Sequence, residues 1–165
     1  MSLEIRDSTV ADAGLILGFI RALADYERLL DEVEATEGDV VRDLFGPRPK
    51  VFCDIAEQDG APVGFALWFY SYSTFRGRHG IWLEDLFVKP EHRGSGAGKA
   101  LLQHLAQRCV EQGLARLEWS VLDWNAPSIA FYDSLGASAM NEWTTRRLSG
   151  EALERLAGSE PETGA

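Results

Sequence analysis

The polar and apolar positions alternate over residues 3–6, the period of a half-buried strand. Val10, Leu15, Ile16, Phe19, Ile20 and Leu23 then recur at helical spacing. Thr9 or Asp12 can cap that helix, which should fade around residues 26–30. Thr36 with Asp39 three residues on resembles a capping box. It would open a short helix carrying Val40, Val41, Leu44 and Phe45, closed by Gly46-Pro47. Residues 51–57 are strand-like, and Asp59-Gly60 is a hairpin signal. Residues 63–72 are almost all apolar or aromatic, which predicts a strand buried on both faces.

Two glycines and the cationic-type side chains Arg76, Arg78 and His79 mark residues 73–80 as a loop, followed by a strand at 81–88. A glycine-rich loop at 90–98 leads into a helix predicted over 99–111, with Leu101, Leu102, Leu105, Cys109 and Val110 inward and Gly113 as its C-cap. Residues 115–122 read as a strand. Asn125 and Pro127 suit the start of a helix over 128–135 that Gly136 closes. A last strand is predicted at about 140–148 and a helical turn at 151–156. The order β-α-α-β-β-β-α-β-α-β predicts an α/β (α+β) fold on a mixed sheet, mostly antiparallel in the centre and parallel only near the two later helices. One domain is expected over 1–158, with 159–165 a small, polar, disordered tail.

Composition narrows the class. At 165 residues the chain is the length of one domain, and 45% hydrophobic with 25% charged residues is ordinary for a globular protein. The net charge of −10 argues against general nucleic-acid binding, which depends on Lys and Arg neutralising phosphates. No polybasic cluster points to anionic lipid. Seven acids lie within residues 25–39, where Arg28 is the only base. Charge alone makes that stretch a solvated surface; the functional alternative is a funnel for a cationic substrate. Cys53 and Cys109 sit far apart in apolar patterns, as buried thiols do. His79, His92 and His104 show no metal-ligand spacing, so no metal is expected. No apolar run approaches a membrane span, and the acidic N-terminus is unlike a signal peptide. The cytoplasm is the expected compartment.

The most specific local feature is Arg93-Gly94-Ser95-Gly96-Ala97-Gly98-Lys99 at the mouth of an amphipathic helix. Glycines allow close backbone approach, and a helix start offers free N–H groups and a positive dipole end, so this is a phosphate cradle. A Walker A loop fails because its first glycine would fall on Arg93 and its last position on Ala100. A dinucleotide G-x-G-x-x-G fails because its third glycine would fall on Lys99.

The pattern R-x-x-G-x-G at Arg93, Gly96 and Gly98 resembles the pyrophosphate loop of the GNAT acetyltransferases. Its surroundings strengthen the resemblance. Trp82-Leu83-Glu84-Asp85-Leu86-Phe87-Val88 and Pro90-Glu91-His92-Arg93-Gly94 resemble the central strand and loop of the spermidine/spermine (diamine) N-acetyltransferase-like branch. So do Val121-Leu122-Asp123-Trp124-Asn125, Phe131-Tyr132 and Leu135-Gly136-Ala137, with Ala24-Asp25-Tyr26-Glu27 in the place of the amine-binding helix end. Ser73-Thr74 before Gly77-Arg78, together with Leu122-Asp123-Trp124-Asn125, are most similar to the thialysine-acetylating members. The absence of an aspartate from residues 73–77 departs from the polyamine enzymes.

The resemblance implies a GNAT fold over about residues 3–157, a homodimer, and transfer of acetyl from acetyl-CoA to a primary amine in a ternary complex. An alkylamine must be deprotonated first, which costs about 4.6 kcal/mol at pH 7. The resemblance gives Glu84 as base and Tyr132 as the acid beside the departing thiolate. It gives the backbone of Leu86, Phe87 and Val88 to the thioester carbonyl and pantetheine. Arg93, Gly94, Ser95, Gly96, Ala97, Gly98 and Lys99 form the cradle, and Asn125, Ala126, Pro127 and Ser128 hold the pantetheine or adenine end. Lys99 stands where Ser or Thr is common in the family. Tyr26, Glu27, Glu84, Asp85, Glu118, Trp119 and Ser120 fall on the amine side. The expected substrate is a thialysine- or lysine-like amino acid, a diamine or a polyamine. Protein-lysine acetylation and a silent acyl-CoA sensor are the alternatives, and a sensor need keep neither Glu84 nor Tyr132.

Overall fold

The computed structural model describes residues 2–158. The chain forms two compact units that meet in sequence between Leu122 and Asp123. The first holds strands β1 (Leu3–Asp7), β2 (Phe52–Gln58), β3 (Ala61–Ser73), β4 (Arg78–Val88) and β5 (Leu117–Trp119). Its helices are α1 (Ala13–Tyr26), α2 (Glu37–Phe45) and α3 (Ala97–Gln112). The strands lie in the order β1-β2-β3-β4-β5. The first three pairings are antiparallel and β4–β5 is parallel, as the sequence pattern predicts.

Period-two alternation decides the two faces. Cys53, Ile55, Phe65, Leu67 and Phe87 meet Ala13, Ile16 and Phe19 of α1 and Val40 and Leu44 of α2 in one core. The rings of Phe19 and Phe65 stack at 5.2 Å. The next residue along from Cys53, Asp54, faces α3 instead. There its buried carboxylate accepts a 2.9 Å bond from Trp68 Nε1 and lies 3.6 Å from Arg108 Nη2 and 3.7 Å from His104 Nε2. Arg108 also lies over the Trp68 ring, so α3 is tied to the sheet by charge as well as by Leu101, Leu102 and Leu105.

Local signals explain the element ends. The Thr36 capping box forms in both directions, with Asp39 N donating to Thr36 Oγ1 at 3.2 Å and Thr36 N to Asp39 Oδ2 at 2.9 Å. Helix α1 stops in a Schellman arrangement: Leu29 N donates to Ala24 O, Arg28 N to Asp25 O, and Arg28 sits at φ 63°. Cys53 and Cys109 are free and buried.

Several expectations change: Val110, expected inward on α3, is 83% exposed, and the strand expected at 115–122 shortens to β5. Strand β3 is buried on both faces only as far as Trp68; Tyr70 and Tyr72 are 38% and 56% exposed. The cover ends with α3, whose last residue Gln112 receives the Tyr70 hydroxyl bond, and β3 outruns it. The loop predicted at 73–80 shrinks to a tight turn, because β4 already starts at Arg78 and pairs with Ser73. In the second unit, α4 (Ala126–Ser134) and α5 (Gly150–Leu156) form, but the strand predicted at 140–148 does not. Met140 and Trp143 close a turn (Trp143 N to Met140 O, 3.1 Å), and Met140, Trp143 and Leu148 are more than half exposed. β-branched and aromatic composition suits a strand only where a ladder receives it, and no described strand pairs there. The predicted tail at 159–165 lies outside the described residues.

Candidate active site

Strand β4, on which the candidate residues Glu84 to Val88 lie, is irregular there. Asp85 pairs with Leu67 and Leu83 pairs with Trp68, so Glu84 is an extra residue in a β-bulge. The simple alternation that would send Glu84 and Asp85 to opposite faces is broken at this step. Parallel pairing with β5 covers only Ile81, Trp82 and Leu83. Among the described residues, the strand from Glu84 to Val88 is therefore laddered on one side only, against β3. Alternate backbone groups on the other side form an open edge, the arrangement that pairs with an extended ligand.

The carboxylates are not equivalent. Glu84 is exposed, and its Oε2 accepts a 2.9 Å bond from Trp82 Nε1. Asp85 carries the perturbation instead: burial, then the charges of Glu84 and Glu27, push it up to about 7. Glu27, half-buried just past the end of α1, is also raised, first by burial and then by Glu84. Three carboxylates from two elements thus share one field, and the structure brings together residues that are far apart in sequence.

The cradle follows β4. Gly94 and Gly96 have φ of 81° and 91°, left-handed conformations that an L side chain adopts only with strain. Gly98 does not; it lies in the first turn of α3, which starts at Ala97 and not at Lys99. The early start leaves the amides of Ala97, Gly98 and Lys99 as free helix-end donors. Chain neighbours aside, no described atom lies within 4 Å of where a Cβ on Gly94 or Gly96 would stand, and residues 94–96 are exposed. Arg93 lies against the site from the side: Nε donates to Val88 O at 3.1 Å, and the guanidinium carbon is 4.8 Å from the Tyr26 ring centre and 5.6 Å from that of Phe87.

Of the other amine-side residues, Glu118 pairs in register with Trp82 but its carboxylate is taken by Arg116 at 2.8 Å. Trp119 is half-buried opposite Leu83, and Ser120 is exposed past the strand end. In the second unit, Asn125 Oδ1 caps α4 by accepting from Ser128 N at 3.4 Å, with Ala126 and Pro127 in the first turn. Tyr132 is half-buried on that helix with its ring 5.6 Å from Phe131. Among the acids of residues 25–39, Asp39 is committed to the α2 cap and to Arg42, and Glu27 alone joins the carboxylate group. Sequence reasoning missed the bulge and the Arg93–Tyr26 contact. Neither has a local signal, since one is a register event between strands and the other joins a helix end to a loop.

The geometry can be set beside known proteins. The acetyltransferase (GNAT) family matches residues 17–137. Thialysine N-epsilon-acetyltransferase of Bos taurus is 41% identical over 93% of this chain and 96% of its own length. L-ornithine N5-acetyltransferase of Arabidopsis thaliana is 30% identical over 93% of this chain and 87% of its own. Among solved structures, an integron cassette protein from the mobile metagenome of V. cholerae superposes with a TM-score of 0.79 at 29% identity, covering 96% of this chain and 99% of that one.

Proposed function

This chain belongs to the acetyltransferase (GNAT) family, an enzyme family using acetyl-CoA, and we propose that it acetylates the primary amine of a small cationic substrate of the thialysine, ornithine or lysine type. The observation that carries the reading is the group of Glu27, Glu84 and Asp85 beside the open edge of β4 and the cradle. Such a field attracts an ammonium, and a carboxylate held near neutrality is matched to accept its proton. The names of the two amino-acid acetyltransferases similar to it support a substrate of that class.

The residues fit the cosubstrate. Left-handed glycines, an exposed loop and the amides at the start of α3 suit a pyrophosphate. The edge of β4 along Leu86, Phe87 and Val88, which no described strand covers, suits an extended pantetheine, and its alternate N–H groups are donors for a carbonyl oxygen. Bound acetyl-CoA supplies the thioester carbonyl that the amine attacks. On the protein side, Asp85 takes the amine proton, Glu84 and Glu27 hold the ammonium, and the Tyr26 and Trp119 rings flank it. This moves the base from Glu84 to its neighbour, because the raised carboxyl is Asp85. Asn125, Ala126, Pro127 and Ser128 contribute the second helix start, and Tyr132 is the acid for the departing thiolate. A reducing compartment accords with the free buried thiols, and the homodimer rests on the family resemblance alone. No helix among the described residues is long and apolar enough to cross a membrane.

The test is release of CoA thiol from acetyl-CoA with thialysine, ornithine, lysine, spermidine and a lysine peptide, each alone. Turnover with a free amino acid above that with spermidine or peptide is the expected result. Preference for the peptide would move the assignment to protein acetylation. Acetyl-CoA binding without turnover of any amine would make the chain a sensor.

A further inference from the structure

Arg93 begins the cradle, yet its contacts point back to the amine side. Its Nε is anchored on Val88 O at 3.1 Å, and its guanidinium carbon lies 4.8 Å from the centre of the Tyr26 ring and 5.6 Å from that of the Phe87 ring. The two Nη nitrogens make no hydrogen bond among the described residues. An anchored fork with free ends matches two oxygens of a phosphate. An exposed arginine left to itself would have to be ordered at the moment of binding, and that ordering weakens affinity. The Tyr26 face removes the cost in advance. Tyr26 comes from the last turn of α1, next to Glu27, whose carboxylate shares the field of Glu84 and Asp85.

We propose that Tyr26 is a positioning residue for acetyl-CoA: its ring, with that of Phe87, holds Arg93 ready for the cofactor's phosphates, so that the helix end serving the amine also sets cofactor affinity. The proposal rests on the acetyltransferase reading. It adds a consequence: a ligand that shifts Tyr26 shifts acetyl-CoA affinity, and by linkage acetyl-CoA shifts amine affinity by the same factor.

The experiment measures the dissociation constant of acetyl-CoA by calorimetry without amine, for wild type, Tyr26→Phe, Tyr26→Leu, Arg93→Ala and the double variant Tyr26→Leu/Arg93→Ala. Removing the aromatic face in Tyr26→Leu should weaken binding about three- to tenfold, the range for a cation–π contact and one ordered side chain. Tyr26→Phe keeps the face and should bind within about twofold of wild type. With Arg93 already removed, Tyr26→Leu should add nothing. Equal affinity of Tyr26→Leu and wild type, or additive losses in the double variant, overturns the proposal. A uniform loss in both Tyr26→Phe and Tyr26→Leu overturns it too, since that marks a structural role of the residue. A wild type that does not bind acetyl-CoA at all would instead sink the acetyltransferase reading on which it stands.

Discussion

Glu84 and Asp85 are adjacent in sequence but unlike in structure: Glu84 fills the bulge of β4 and is exposed, while Asp85 pairs with Leu67 and is pushed up to about 7. The bulge separates the two carboxylates into a solvent-facing charge and a desolvated one. In the proposed function that separation divides the work between holding a cation and accepting its proton, and it sets the first two predictions.

Asp85 must be ionised to accept a proton, so kcat/KM should rise with pH through an inflection near 7. In Asp85→Asn that inflection should vanish and turnover should fall by about 10²–10⁴-fold. A pH–rate profile that keeps its inflection near 7 in the variant excludes Asp85 as base. Stability runs the other way. The carboxyl is raised in the folded state above its value of 3.8, so its effect is absent below pH 4 and folding loses stability as pH rises from about 4 through 7. Asp85→Asn should therefore melt higher than wild type at pH 8 by an amount that shrinks at pH 4. The difference at pH 8 should be about 2–4 kcal/mol, and urea unfolding at the two pH values measures it.

Glu84, held by Trp82 Nε1 in solvent, should act on binding more than on chemistry. Glu84→Gln is expected to raise the amine KM about three- to thirtyfold with a smaller change in kcat, in line with loss of one charge-assisted contact. The wild-type amine KM should also rise with salt as the carboxylate field is screened. Steady-state kinetics at low and high ionic strength checks both; a KM insensitive to salt and to the substitution assigns the ammonium to other residues.

Tyr132 lies on α4, capped by Asn125. If its phenol protonates the leaving thiolate, Tyr132→Phe should lower the acetyl-transfer rate by about 10²-fold while acetyl-CoA binding stays near normal. Unchanged single-turnover rates in the variant remove the role.

Gly96 caps α3 at φ 91°. Gly96→Ala places a Cβ in a left-handed conformation that costs about 1–2 kcal/mol, and nothing else crowds the position. The melting temperature should drop accordingly. Gly98→Ala, in an ordinary helical turn, should leave the melting temperature nearly unchanged. Equal losses in both variants would mean that backbone conformation is not what the cradle asks of its glycines.

Much of the fold and of the local geometry at the candidate residues was legible in the chain because those signals are local. The Thr36 box, the Asp59-Gly60 hairpin, the Gly94–Gly98 cradle and the Asn125–Pro127 helix start each depend on residues within a few positions of one another, where side chain and backbone meet whatever the rest of the fold does. The order of elements up to α4 and the antiparallel centre of the sheet were legible for the same reason, and the GNAT resemblance rested on such contiguous motifs. The tertiary structure alone decided the rest. Whether residues 140–148 become a strand depends on a partner ladder, and whether Tyr70 and Tyr72 are covered depends on where α3 ends. Which of Glu84 and Asp85 is desolvated depends on the register of β4 against β3, and Arg93 finds Tyr26 only when α1 is packed beside the loop. Hydrophobic period and turn chemistry are written residue by residue, whereas registry, desolvation and cation–π contacts are properties of pairs that only the folded chain brings together.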